Sequence, residues 1–122
     1  MTEANRNITT RPWGSFEVLH RYVDYVIKRL NIRKQQETSL QYHESRDETV
    51  VVVYGTLKVV VDDVEHVLYS GDSVKIKAKQ RHRLVNIGMC SCNIVEVWTG
   101  FKFDEDDIVR IEDRYGREVQ SI

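Results

Sequence analysis

The feature that most constrains this chain is a succession of strand-length segments that leaves no room for a long helix. Residues 15–19, 22–32, 38–42, 48–54, 56–61, 64–68, 73–76, 83–86 and 93–99 are all short. Many are rich in valine, isoleucine, threonine and tyrosine, the side chains that suit a pleated surface. Gly55, Gly71, Gly88 and Gly100 punctuate them. Leu57, Val59 and Val61 alternate with Thr56, Lys58 and Val60, and Val64-Glu65-His66-Val67-Leu68 follows after Asp62-Asp63, so the sequence predicts a hairpin there. Helical periodicity is confined to 104–111, where Ile108, Val109 and Ile111 suit one or two turns. Many short antiparallel strands at regular turn spacing predict an all-β sandwich or small barrel.

At 122 residues the chain is the size of one domain, long enough to bury a core without disulfides or a zinc staple. Residues 1–10 read as an N-terminal arm and 11–122 as a single domain, with Thr9-Thr10-Arg11-Pro12 compatible with an edge strand. Eighteen basic against nineteen acidic residues give a net charge of −1, which offers no electrostatic reason to expect a nucleic-acid partner. The longest apolar run, Val50-Val51-Val52-Val53-Tyr54, is too short to cross a bilayer, so no membrane partner is expected. The first ten residues lack the apolar core of a secretory signal. Cys90 and Cys92 form a C-x-C pair, predicted to put both thiols on one face of a strand and too poorly placed to bond to each other. Together these features predict a reduced, cytoplasmic protein. An exposed valine-rich sheet edge is an aggregation risk, which predicts a homodimer covering it.

Four polar residues stand out from this background. Gln41 and His43 are two apart, so on a continuous strand they project from one face. Glu48 opens the valine run, and His82 lies far along the chain before another strand. Two imidazoles, a carboxylate and an amide oxygen converging inside a barrel would suit a divalent metal; ordinary polar residues at strand ends are the alternative. With no thiolate, the set disfavours copper(I) and iron–sulfur chemistry and leaves zinc, manganese, iron(II), cobalt or nickel.

Glycine spacing adds to this. Six residues separate Glu48 from Gly55 and fifteen separate Gly55 from Gly71; His82 follows Gly71 at offset eleven, and Asn86 comes four later. The pattern resembles the two signature motifs of the cupin family. That resemblance implies a double-stranded β-helix, the cupin jelly-roll barrel, with at most short helices near the C-terminus. The family's proline and glycine before the second-motif histidine are here Lys77 and Lys79, which fit the turn as long as it demands no positive φ.

The resemblance narrows over residues 11–118. Arg11-Pro12-Trp13-Gly14-Ser15, Lys28-Arg29, Ser39-Leu40-Gln41-Tyr42-His43, His82-Arg83-Leu84-Val85-Asn86 and the segment Asp106-Asp107-Ile108-Val109-Arg110-Ile111-Glu112-Asp113-Arg114-Tyr115-Gly116-Arg117 are similar to the type II mannose-6-phosphate isomerase domain, here as a stand-alone single cupin. Where that family reads Gln-Met-His-His-His-Arg-x-Glu-His-Trp, Gln41, His43, Arg46 and Glu48 match, while Glu44, Ser45 and Thr49 replace histidines. No nucleotidyltransferase segment is expected, so pyrophosphorylase activity is not implied.

The resemblance implies a metal-dependent isomerase that interconverts mannose 6-phosphate and fructose 6-phosphate through an enediol(ate). It implies a divalent metal, zinc by preference, on Gln41, His43, Glu48 and His82. The phosphate needs cations, and Lys28, Arg83, Arg114 and Arg117 lie in matching motifs. Arg46, between His43 and Glu48, is expected to stabilise the developing enediolate. Glu96, a carboxylate within the otherwise apolar Ile94-Val95-Glu96-Val97-Trp98, is a candidate for the base that moves the carbon-bound proton; His20, Glu44 and His66 are alternatives. An inward Glu96 would have a raised pKa if desolvated and a lowered one beside a metal. Trp13 reads as a core plug or as the wall of a sugar site. Two other classes stay open: a cupin enzyme of other chemistry, such as a sugar epimerase or an iron dioxygenase, and a sugar-binding cupin that has lost activity. The substitutions Glu44, Ser45, Thr49, Lys77 and Lys79 give the latter its weight.

Overall fold

A computed structural model describes residues 7–118, and among them there is no helix. The strands are β1 (Ile8–Arg11), β2 (Gly14–Arg21), β3 (Tyr25–Ile32), β4 (Leu40–Tyr42), β5 (Arg46–Tyr54), β6 (Leu57–Val61), β7 (Val64–Leu68), β8 (Ser73–Ile76), β9 (His82–Asn86), β10 (Cys92–Gly100) and β11 (Val109–Glu112). One sheet runs β1-β2-β3-β10-β5-β8 and the other β11-β4-β9-β6-β7, with antiparallel pairing throughout. From β3 onward the chain passes repeatedly between the sheets, which wraps them into the expected jelly-roll barrel. No helix among the described residues is long and apolar enough to cross a membrane.

Period-two alternation sets the interior. β3, β5, β9 and β10 bury every second residue, and Leu30, Ile32, Val50, Val52, Leu84 and Ile94 meet Leu57, Val59 and Ile76 in one apolar cluster. Trp13 joins that cluster, as a core plug would, and also borders the cavity described below. Asn86 closes the apolar end: its Nδ2 donates to the carbonyls of Ile32 and Cys90 at 2.8 and 2.9 Å, and its Oδ1 accepts from Gly88 N.

Several expectations change. The segment expected to make helical turns at 104–111 makes a single turn, Asp107 N donating to Asp104 O, and then runs as β11, which pairs with β4. Asp104 O and Asp107 O also accept from Arg46 and His43. The stretch 22–32 breaks after Tyr22, where Tyr22 N donates to Tyr25 O across a hairpin turn with Val23 at its tip. The last residues of the expected arm form the edge strand β1, paired to β2, while residues 1–6 lie outside the described part. Cys90 and Cys92 do not share a face, because β10 begins at Cys92; Cys90 is exposed in the preceding turn, Cys92 is buried, and both thiols are free.

Two turns depend on left-handed backbone. The Asp62-Asp63 hairpin has φ of 47° and 68°, the signature of a type I′ turn, and the Asp62 carboxylate accepts from Arg81 N and Gln80 Nε2. Lys79 has φ 72°, so the turn before His82 does demand the positive φ that its sequence made doubtful. A bond from Lys79 N to His43 O at 2.7 Å holds it there, tying the two histidine-bearing turns together.

Candidate functional site

At the end of the barrel opposite Asn86, the inward residues turn polar around a cavity of about 240 Å³. Gln41 sits on β4 and His43 one residue beyond it; Arg46 and Glu48 share the inward face of β5, and His82 opens β9 directly across from Gln41. His43, Glu48 and His82 are buried, and their ligand atoms lie within 4.8 Å of one another. His43 Nε2 is 3.3 Å from Glu48 Oε2, and His82 Nε2 is 3.6 Å from Glu48 Oε1.

Carbonyl groups fix the two imidazoles. His43 Nδ1 donates to Asp107 O at 2.6 Å and His82 Nδ1 to Gln80 O at 2.9 Å. A carbonyl only accepts, so both Nδ1 atoms carry a proton, and Nε2 is the ring atom that each histidine turns toward Glu48. Buried His82 Nε2 has no hydrogen-bond partner among the described residues. Gln41 Nε2 lies 3.3 Å from His43 Nε2, while its Oε1 accepts from Ser39 Oγ at 2.6 Å. Half a turn of the amide exchanges these roles and brings Oε1 to the cluster, with Ser39 Oγ accepting instead.

The electrostatics match this donor set. Burial pulls His43 down to about 4 against the attraction of Glu48, with Arg46 and His82 adding to the fall, so the ring is neutral at pH 7. Burial alone would raise Glu48, but His43, His82 and the Arg46 guanidinium outweigh it and hold the carboxyl below its usual range. Two imidazoles held through Nδ1, an ionised carboxylate, an amide oxygen within reach and one orphaned buried nitrogen fit a divalent cation.

Arg46 is buried and fully engaged on one side. Its Nε donates to Glu48 Oε2 at 2.8 Å, its Nη1 to Asp104 O at 3.0 Å, and its guanidinium lies 3.5 Å over the Trp98 ring. Gly100 makes room for it, since a Cβ there would stand 2.8 Å from Ser45 O and 3.2 Å from Arg46 Cα. The Asp107 carboxylate accepts from the amides of Glu44 and Ser45 at 2.8 and 3.0 Å, which pins the turn that carries His43.

Glu96 faces inward from β10, between β3 and β5. Burial, then repulsion from Glu48, pushes it up to about 7, while Lys28, the Trp98 hydrogen bond and Arg46 restrain the rise. Trp98 Nε1 donates to its Oε1 at 3.0 Å.

Of the expected phosphate cations, Lys28 and Arg117 line the cavity. The Lys28 ammonium lies 3.8 and 4.5 Å from the centres of the Phe16 and Trp98 rings and donates to Glu105 at 2.9 Å. Arg83 and Arg114 are not among the lining residues. The alternation that turns His82 and Leu84 inward turns Arg83 outward, onto Glu37 and the carbonyl of Glu112; Arg114 is exposed and donates to Gln35 O. Arg11 and Arg110, which the sequence did not single out for this role, do line it. His20, Glu44 and His66 are exposed and do not, and Ser45 and Thr49 are also absent from its walls.

Comparison with known proteins follows the same lines. The family model for the C-terminal region of mannose-6-phosphate isomerase matches residues 2–113. The chain is 37% identical over 107 residues to a mannose-1-phosphate guanylyltransferase of Escherichia coli and 37% identical over 110 residues to the alginate biosynthesis protein AlgA of Pseudomonas aeruginosa. These matches cover 88% and 90% of this chain but only 22% and 23% of those proteins, so the chain spans less than a quarter of their length. Among solved structures, KdgF from Halomonas sp. superposes with a TM-score of 0.75 at 14% identity, covering 83% of this chain and 94% of that one. An RmlC-like cupin from Shewanella frigidimarina gives 0.73 at 18% identity, covering 88% and 92%. At these identities the likeness is one of fold, and the fold is the cupin barrel that the glycine spacing implied.

Proposed function

Because the chain belongs to the mannose-6-phosphate isomerase C-terminal family, a family of cupin fold, we propose that it is a metal-dependent aldose–ketose isomerase interconverting mannose 6-phosphate and fructose 6-phosphate. The observation that carries this reading is the convergence of His43, Glu48 and His82 beneath an inward Glu96 in one cavity. A divalent metal, zinc in this reading, would be held by those three side chains and the Gln41 amide oxygen, and when bound it supplies Lewis-acid polarisation of the sugar's oxygens. Glu96 takes the proton from C2 of the open-chain aldose and returns it at C1 while the O2 hydroxyl proton passes to O1, the reverse holding for the ketose. Without a metal, burial and Glu48 hold Glu96 at about 7, and a bound cation would lower it toward the ionised form that a base needs. The bond from Trp98 orients Glu96 and leaves its second oxygen for the substrate. Arg46 keeps Glu48 ionised and in place, and its Nη2, 3.4 Å from His43 Nε2, brings positive charge to the cavity where the enediolate develops.

The substitutions that favoured a binding protein without activity fall away from this machinery, since Glu44, Ser45 and Thr49 do not line the cavity. The test is a coupled assay that follows fructose 6-phosphate formed from mannose 6-phosphate. We expect turnover that chelation removes and zinc restores. No turnover of either sugar phosphate by zinc-loaded protein would refute the reading.

A further inference from the structure

Three cationic side chains that the chemistry above does not use border the same cavity: Arg11 at the end of β1, Arg110 on β11 and Arg117 beyond it. Arg117 grips the Asp113 carboxylate through Nε at 2.7 Å and Nη2 at 3.2 Å. Arg11 donates to Thr10 O at 3.1 Å and stands over the Phe16 ring at 5.0 Å. Arg110 Nε is buried and has no hydrogen-bond partner among the described residues. Burial, then repulsion from Arg117, pulls Arg110 below its ordinary range; Asp113 opposes this and Arg11 adds to it. Of the acids that line the cavity, Glu48 is paired with Arg46, Glu96 accepts from Trp98, Glu105 is engaged by Lys28 and Arg21, and Asp106 is exposed. A guanidinium stays charged at any ordinary pH, so the cluster relieves its mutual repulsion by taking an anion rather than by losing a proton.

The register fixes how far this cluster lies from the histidines. Arg110 is directly across from Gln41, and Gln41 directly across from His82. Arg110 therefore stands two strand spacings from His82, about 10 Å, and shares its cavity. A six-carbon sugar phosphate in open-chain form spans a gap of that order between its carbonyl end and its phosphorus.

We propose that Arg11, Arg110 and Arg117 form an anion pocket that takes the phosphomonoester of the substrate, at the far end of the sugar from Gln41, His43, Glu48 and His82. The proposal rests on the isomerase reading for the sugar and on the arginines alone for the phosphate. The single ammonium of Lys28 is held by Glu105 and two aromatic rings, whereas the Arg117 guanidinium meets Asp113 through Nε and Nη2 and has a third nitrogen to offer. A guanidinium pair can also clasp a phosphate with parallel N–H bonds, which a lysine cannot.

The test titrates the full chain with inorganic phosphate, with and without zinc, by isothermal calorimetry and thermal denaturation. Saturable binding is expected in both states, weakened at least tenfold by Arg110→Gln and by Arg11→Gln and changed less than twofold by Arg83→Gln or Arg114→Gln. Phosphate should raise the melting temperature of the parent protein and not that of Arg110→Gln. If Arg110→Gln does not fold, Arg11→Gln on the edge strand decides the same question. Undiminished phosphate binding in the arginine variants, or its loss in Lys28→Gln alone, would overturn the pocket. Phosphate binding that needs Arg110 in a protein that does not turn over mannose 6-phosphate would support the pocket and end the isomerase reading. Turnover with an unchanged KM in Arg110→Gln would do the opposite.

Discussion

One set of strands builds two interiors. Toward the Asn86 end, β3, β5 and β10 turn Leu30, Val52 and Ile94 inward as a single cross-strand row that is wholly apolar. One row along, the same strands place Lys28 opposite Glu96 and Glu96 opposite Val50, and the row after that sets Trp98 opposite Glu48. Antiparallel pairing of β10 with β5 runs unbroken across the boundary from Ile94 to Gly100, the irregularity lying before it, between Asn93 and Ile94. Alternation decides which residues face inward, and the chemistry of one row decides whether they form a core or a site. Charges survive in the polar half because they are paired: Arg46 with Glu48, Lys28 with Glu105, and both cations with the Trp98 ring.

The sharpest way to separate the halves is Glu96→Gln. It keeps the shape and the Trp98 bond but removes the base, so kcat should fall by about 10²- to 10⁴-fold with metal content retained, as steady-state kinetics and metal analysis would read. Two residues away and one row into the apolar half, Ile94→Ala should do the reverse. We expect a loss of about 2–5 kcal/mol in denaturant unfolding and kcat per folded molecule within a few-fold of the parent. If Ile94→Ala damages kcat as deeply as Glu96→Gln, the two interiors are not separable. His82→Ala should lower bound metal by about tenfold or more, since it removes one of four donors while leaving the apolar cluster intact. Full metal stoichiometry in that variant would break the comparison at its polar end.

The smallest effect is on pH. The folded-state pKa of Glu96, about 7, lies above its ordinary 4.5, so the folded chain holds this proton where the unfolded chain has released it. The stability this group contributes is fully present below about 4.5 and is lost as pH rises through 7. Metal-free protein should therefore lose stability over that window, and Glu96→Gln should flatten the loss in a series of thermal melts.

The apolar half was largely legible in the sequence. Alternating valines in 48–54 and 56–61 disclose their inward faces, and the Asp62-Asp63 hairpin follows from two such runs meeting. Gln41, His43, Glu48 and His82 were legible as a set because they interrupt that background at the spacing of known motifs. The exclusion of Arg83 was legible too: once His82 and Leu84 face inward, the residue between them cannot. Arg110 was hidden by the helical reading of 104–111, which scrambles the faces; only the pairing of β11 with β4 sets it beside Gln41. Asp107 carries no local mark that distinguishes it from Asp104, Glu105 and Asp106. Its role comes from contacts with residues 62 to 64 positions earlier.

That separation has a consequence in time. His43, Glu48 and His82 all precede β10, yet the carbonyl that sets the His43 proton comes from Asp107, after β10. A nascent chain that has emerged only through β10 holds every histidine and carboxylate of the cluster and can close most of both sheets. It still lacks the group that fixes which His43 nitrogen is open. A metal site built on this cluster would be complete only once the segment after β10 is in place.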